Sequence, residues 1–216
     1  MSPFVNSHTH HLSTDGSVSI YNNRFGFDKI VYTETYFSIG IHPWDAQYNS
    51  EVDTLEFESF LKQPNCLAIG ECGLDKIREA ELSVQIAIFQ KQLELAIKYE
   101  KPVIIHCVKA FDELQKICEP YLKQIPLMIH GFNKSQELAK QLMDKGFYLS
   151  ISSEFITKAN LTELPQEQLF LETDDQESLS IKEVYDLASE KLSLPQEVLK
   201  EKIYSNFTRI FYNHGR

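Results

Sequence analysis

Five separate apolar runs in this chain end on a histidine, a glutamate or an aspartate. They are Phe4-Val5-Asn6-Ser7-His8-Thr9-His10, Ala68-Ile69-Gly70-Glu71, Val103-Ile104-Ile105-His106, Leu127-Met128-Ile129-His130 and Leu169-Phe170-Leu171-Glu172-Thr173-Asp174. Short apolar runs of this length read as buried strands. His8 and His10 lie two residues apart, and the two-residue period of a strand sends both imidazoles to the same side. Strands that finish in such residues are expected of a (β/α)8 barrel, whose active site lies at the C-terminal strand ends.

The spacing of apolar residues between these runs predicts the helices of that fold. Leu82, Ile86, Phe89, Leu93 and Ala96 place a helix over about 79–100, stopped by Pro102. Phe111, Leu114, Cys118 and Tyr121 mark the next, Leu138 and Leu142 a third, and Ile181, Val184, Tyr185 and Ala188 a fourth, with a further helix from Pro195 to Phe211. Gly146 to Ile151 is strand-like. Strands alternating with helices imply a parallel sheet with helices outside it. From His11 to Phe37 the pattern fails: polar and glycine-bearing pieces such as Ser13-Thr14-Asp15-Gly16 show no helical face. The expected fold is therefore α/β, a distorted TIM-type barrel with one early β/α unit shortened or missing, occupying residues 1–216 as a single domain.

A net charge of -10 argues against a broad basic surface for nonspecific nucleic-acid binding. It leaves room for a phosphodiester substrate, because bound divalent cations invert the local field. No apolar stretch approaches the roughly 20 residues of a spanning helix. The N-terminus lacks the basic start and long apolar core of a signal peptide. Cys66, Cys72, Cys107 and Cys118 form no C-x-x-C pair and read as buried, reduced thiols. A cytoplasmic protein without membrane contact is expected.

His8, His10, Glu71, His106, His130 and Asp174 supply four imidazoles and two carboxylates from separate strand ends. This inventory can hold two divalent cations with one carboxylate bridging them. Imidazoles suit Zn²⁺, whereas phosphodiester chemistry also uses Mg²⁺ or Mn²⁺.

The same residues sit in motifs that run along the chain: His8-Thr9-His10, Gly40-Ile41-His42-Pro43, Ala68-Ile69-Gly70-Glu71-Cys72-Gly73-Leu74-Asp75, Pro102-Val103-Ile104-Ile105-His106, Ile129-His130-Gly131-Phe132, Leu171-Glu172-Thr173-Asp174 and Asn206-Phe207. In their order and spacing the chain resembles the TatD family of metal-dependent hydrolases, within the amidohydrolase-like barrel superfamily. The resemblance implies a binuclear centre that hydrolyses ester bonds, typically the phosphodiesters of DNA. His8, His10, Glu71 and Asp174 would bind one ion and Glu71, His106 and His130 the other, with Glu71 bridging. Asp174 would also accept a proton from the attacking water. His42 is placed at the rim as a substrate contact, and Trp44 beside it either packs against its neighbours or offers a stacking surface for a base. Asp75 would either position a ligand or cap the following segment, and His11 would face solvent or support the site.

Two positions and one segment depart from the family pattern. Asn6 stands where an Asp is usual, removing a carboxylate that would strengthen a ligand. Val108 replaces an Arg two residues after His106, and Lys109 would compensate as a phosphate contact. Asp175-Gln176-Glu177-Ser178 replaces a usual Ala-Pro-Tyr and the basic loop beyond it. These departures keep two other classes in view: hydrolysis of a small-molecule or aminoacyl ester or amide on the same metals, and a catalytically silent metal-binding protein. Retention of all six ligands argues against silence.

Overall fold

The computed structural model of the protein describes residues 2–26, 35–48 and 55–212. Eight parallel strands form one sheet in chain order: β1 (Val5–Thr9), β2 (Val18–Arg24), β3 (Tyr36–Gly40), β4 (Cys66–Asp75), β5 (Val103–Val108), β6 (Leu127–Phe132), β7 (Tyr148–Ile151) and β8 (Leu169–Leu171). Between them run α1 (Leu55–Leu61), α2 (Leu82–Lys98), α3 (Phe111–Cys118), α4 (Gln136–Asp144) and α5 (Ser153–Lys158), and α6 (Ile181–Leu192) and α7 (Gln196–Phe207) follow β8. The result is the expected (β/α)8-type barrel. Most of its strands, β2 excepted, are apolar on both faces because helices cover the outside. All ten residues of β4 are buried, and each leucine or isoleucine so placed contributes about 1.5–3 kcal/mol.

In the irregular early stretch a strand, β2, is present and paired on both sides, and residues 10–17, between β1 and β2, carry no helix. A polar turn takes the helix's place: Asp15 Oδ1 accepts the Ser17 backbone N–H at 2.9 Å, and Gly16 adopts φ 78°. Residues 27–34 of the same stretch lie outside the described residues.

The barrel closes through side chains more than through a ladder. Between β8 and β1 the backbone bridge is confined to Thr9 and Asp174, where His10 N–H donates to Asp174 O at 3.0 Å and Asp174 N–H to His8 O at 3.2 Å. Below that point Asn6 replaces the missing rungs. Its amide donates to Thr173 Oγ1 at 2.8 Å and accepts the Thr173 N–H at 3.0 Å. Ser7 Oγ donates to Leu171 O at 3.1 Å, and the Tyr185 hydroxyl accepts the Val5 N–H at 3.1 Å. Asp174 is consequently pinned at φ 53°, a conformation that Asp tolerates better than most residues.

Candidate metal centre

Glu71 is buried in β4, and its two oxygens face different histidine groups. Oε2 lies 3.6 Å from His8 Nε2 and 3.5 Å from His10 Nε2. Asp174 Oδ1 stands 3.4 Å and 3.5 Å from the same two nitrogens. These separations exceed hydrogen-bond length and equal the edge of a coordination tetrahedron, roughly 3.4 Å for arms of about 2.1 Å. His8 Nε2 is buried and has no hydrogen-bond partner in the protein. An orphaned imidazole nitrogen aimed between two carboxylates fits a divalent cation, so the group His8, His10, Glu71 and Asp174 suits the first site.

Oε1 of Glu71 meets His130 Nε2 at 2.7 Å and His106 Nδ1 at 2.8 Å. The donors suit a second cation, but here they stand at hydrogen-bond distance. Burial opposes the charge on Glu71, yet His130 and the contacts from His10, His106 and His130 hold its carboxyl well below the usual range. The same pairing acts on the histidines. Burial lowers the proton affinity of His10, but Asp174 and Glu71 override it and raise the pKa to about 9. His130 is likewise raised by Glu71, and His106 by Asp75 and Glu71. Asp174 is shifted well below the usual carboxylate range by His10 and His8, against its burial.

His42 lies deeper than a rim position: it is buried, with Nε2 3.1 Å from Glu71 Oε1. Its Nδ1 accepts the Trp44 backbone N–H at 3.1 Å. Burial lowers its pKa, which favours the neutral ring. A neutral imidazole that accepts at Nδ1 carries its proton on Nε2. His42 is thereby set as a hydrogen-bond donor to Glu71.

Several buried groups orient these side chains. Asn22 on β2 donates from Nδ2 to Glu71 Oε2 at 3.2 Å and accepts the Glu71 N–H at 2.9 Å. Asp75 receives Trp44 Nε1–H at 2.7 Å and faces His106 Nε2 at 3.2 Å, and these bonds lower its pKa to about 2 despite burial. Such a carboxylate fixes the orientation of a ligating imidazole. Glu172 accepts the Gly131 N–H and approaches His130 Nδ1 to 3.7 Å. Gly73 lets β4 and β5 come close enough for this. Its φ is 140°, and a Cβ there would lie 2.1 Å from the His106 carbonyl oxygen.

A family model described as TatD related DNase matches residues 18–212. The chain belongs to that family. Among curated relatives, the protein named 3'-5' ssDNA/RNA exonuclease TatD of Edwardsiella piscicida is 33% identical over 144 residues, covering 62% of this chain and 55% of the relative. The protein of that name from Citrobacter koseri is 32% identical over 153 residues, covering 66% and 58%. The match thus spans little more than half the length of these relatives. Among solved structures, a TatD homolog from Escherichia coli K12 superposes with TM-score 0.80 at 22% identity, covering 96% of this chain and 97% of that one. A TatD family hydrolase from Entamoeba histolytica gives TM-score 0.78 at 16% identity, covering 98% of each chain. Both share the TatD barrel fold.

Within this TatD barrel, His8 and His10 precede the residues that the family model matches, and the structure brings them to the site. All six candidate ligands and His42 are brought together. Lys109 is not: it is exposed on the turn after β5, with φ 54°. A cavity of about 260 Å³ at the centre is lined by His10, Arg24, His42, Trp44, Glu71, His106, His130, Asp174 and Asp175. An adjoining one of about 120 Å³ includes Val108 and Lys134. Among the described residues, the cations on these walls are Arg24, whose Nε donates to Asp45 Oδ2 at 2.9 Å, and Lys134. A concavity of about 700 Å³ between α3 and α4 contains none of the site residues. His11 is exposed, with Nε2 3.2 Å from Asp175 O. Asp174 caps no helix, since Ser180 caps α6. Sequence reasoning missed Asn22, Arg24 and Glu172; the one available signal was that Glu172 ends the apolar run of β8.

Proposed function

We propose that this chain is a metal-dependent hydrolase that cleaves phosphodiester bonds of single-stranded DNA or RNA. The carrying observation is Glu71, whose oxygens separate two histidine groups, one of them spaced for an ion around the unpartnered His8 Nε2. The names of the curated relatives supply the substrate class. The reading takes residues 1–216 as one catalytic domain, supported by the single sheet from Val5 to Leu171, and places it in the cytoplasm, supported by its four unpaired thiols.

His8, His10, Glu71 and Asp174 hold one divalent cation, and Glu71, His106 and His130 hold a second, with Zn²⁺ favoured by the imidazoles and Mg²⁺ or Mn²⁺ as the other candidates. Cations bound there supply Lewis acidity, which acidifies water and offsets the charge that develops on phosphorus-bound oxygens. The protein's own groups do the rest. Asp174 is partly exposed to the cavity and stays ionised at neutral pH, the form in which it accepts the proton of the attacking water. His42 directs its Nε2–H at Glu71 Oε1 and helps to orient that carboxylate. Asp75 and Glu172 hold His106 and His130 in place. Arg24, on the central cavity, and Lys134, on the adjoining one, meet the phosphate in place of Lys109.

A second reading, hydrolysis of a small-molecule ester, rests on Val108 in the adjoining cavity and on Asp175 at the mouth, neither of which attracts a polyanion. A hydrolysis screen of single-stranded DNA, RNA and uncharged carboxylic esters, with Zn²⁺, Mn²⁺ or Mg²⁺ supplied, separates the two. Cleavage of nucleic acid with little turnover of esters supports the proposal. Turnover of esters alone overturns it.

A further inference from the structure

The wall of the central cavity formed after β3 and β4 carries an aromatic surface that the hydrolytic groups do not use. Trp44 lines that cavity, yet its side chain remains 38% exposed. Its ring is held rigidly. Nε1–H donates to the buried Asp75 carboxylate at 2.7 Å, and the ring packs edge-on against His42 with centroids 4.7 Å apart. One indole face is covered by the guanidinium of Arg78, 3.8 Å from the ring centroid. Arg78 is itself tethered loosely, with Nε 3.8 Å from Asp75 Oδ2 and a side chain 47% exposed.

Among the described residues, Trp44 and Ile77 are exposed large hydrophobics on the loops that follow β3 and β4. An anchored indole with an exposed guanidinium over one face, on the wall of an otherwise charged cleft, is what a stacking subsite for unpaired bases requires. Every base has a π-face, so such a subsite tolerates sequence, but it excludes bases stacked within a duplex.

We infer that Trp44 and Arg78 form a nucleobase-stacking subsite, in which an unpaired base of the substrate takes the indole face now covered by Arg78 and so sets the strand's position against the hydrolytic centre. The inference rests on the nucleic-acid reading of the preceding section and adds a specificity-determining residue to it. Asp75 joins the two functions, because it holds the Trp44 indole and His106 at once.

Trp44 is the one tryptophan of the chain, so its fluorescence reports the subsite without labelling. The holoprotein is titrated with a short phosphorothioate oligodeoxyadenylate, with the matching oligoribonucleotide, and with a base-free sugar-phosphate oligomer of the same length and charge. Saturable quenching by the two base-bearing oligomers and none by the base-free one is expected. In parallel, KM is measured for cleavable forms with and without bases. The base-bearing substrate should bind about 10- to 100-fold better in the native protein. Trp44→Leu should bring the two KM values together, and Trp44→Phe, which keeps a ring but not the indole N–H, should retain most of the difference. Equal quenching by the base-free oligomer, or a KM ratio indifferent to Trp44→Leu, overturns the subsite while leaving nucleic-acid hydrolysis intact. If no nucleic acid is cleaved with any metal, the substrate class fails instead, and base-dependent quenching still decides the subsite.

Discussion

The backbone N–H of Trp44 donates to His42 Nδ1 at 3.1 Å, and this contact separates His42 from the histidines around it. With Nδ1 occupied as an acceptor, the ring proton sits on Nε2, the atom that faces Glu71 at 3.1 Å. A metal would need that nitrogen unprotonated. His42→Asn should therefore leave metal content unchanged while lowering kcat by about tenfold, the effect of one lost hydrogen bond to a charged group. Elemental analysis checks this, and loss of an ion in His42→Asn would return His42 to the ligand set.

Metal binding should release protons. Without an ion, His10 holds its proton up to about pH 9, because Asp174 and Glu71 outweigh its burial. Ligation requires the neutral ring, so at pH 7 each binding event must displace that proton, and affinity should rise as pH climbs toward 9. Calorimetry in buffers of different ionisation enthalpy counts the protons. A binding enthalpy independent of buffer at pH 7 would contradict the assignment of His10.

Asp174→Asn keeps the shape and one oxygen but removes the charge that accepts a proton. It should lower kcat by at least roughly 10² and change KM much less. Steady-state kinetics on a single-stranded oligonucleotide tests it; full activity would move the base elsewhere.

Gly73 is the tightest steric point beside the centre, with a virtual Cβ 2.1 Å from the His106 carbonyl oxygen and φ 140°. Gly73→Ala should cost about 2–4 kcal/mol of stability, as backbone strain and overpacking combine. It should also weaken metal binding through displacement of His106. Chemical denaturation of the metal-free variant isolates the first effect, and titration with metal the second.

The ligands were legible because each closes an apolar strand, a pattern that needs no tertiary information: His106 and His130 end β5 and β6 runs of uninterrupted leucine, isoleucine, valine and methionine. β2 was not, because its buried positions include Ser19, Asn22 and Asn23, whose polar side chains erase the apolar alternation. Asn22 is buried because Glu71 satisfies it, a pairing across 49 residues that local pattern cannot report. Arg24 was hidden with the same strand. What local pattern could not report for Asn6 is its role at the seam, where it both donates to and accepts from Thr173, which an ionised Asp cannot do.

Stepwise return of Zn²⁺ or Mn²⁺ to chelator-treated protein, with cleavage of a single-stranded oligonucleotide followed at each addition, tests the central claim most directly. Activity should be absent without metal and should rise until about two ions per chain are bound, as the two donor groups around Glu71 require. In Glu71→Gln both sites should lose occupancy and cleavage should fall with them. Undiminished cleavage in chelator, or full occupancy of both sites in Glu71→Gln, would contradict a two-ion centre bridged by Glu71.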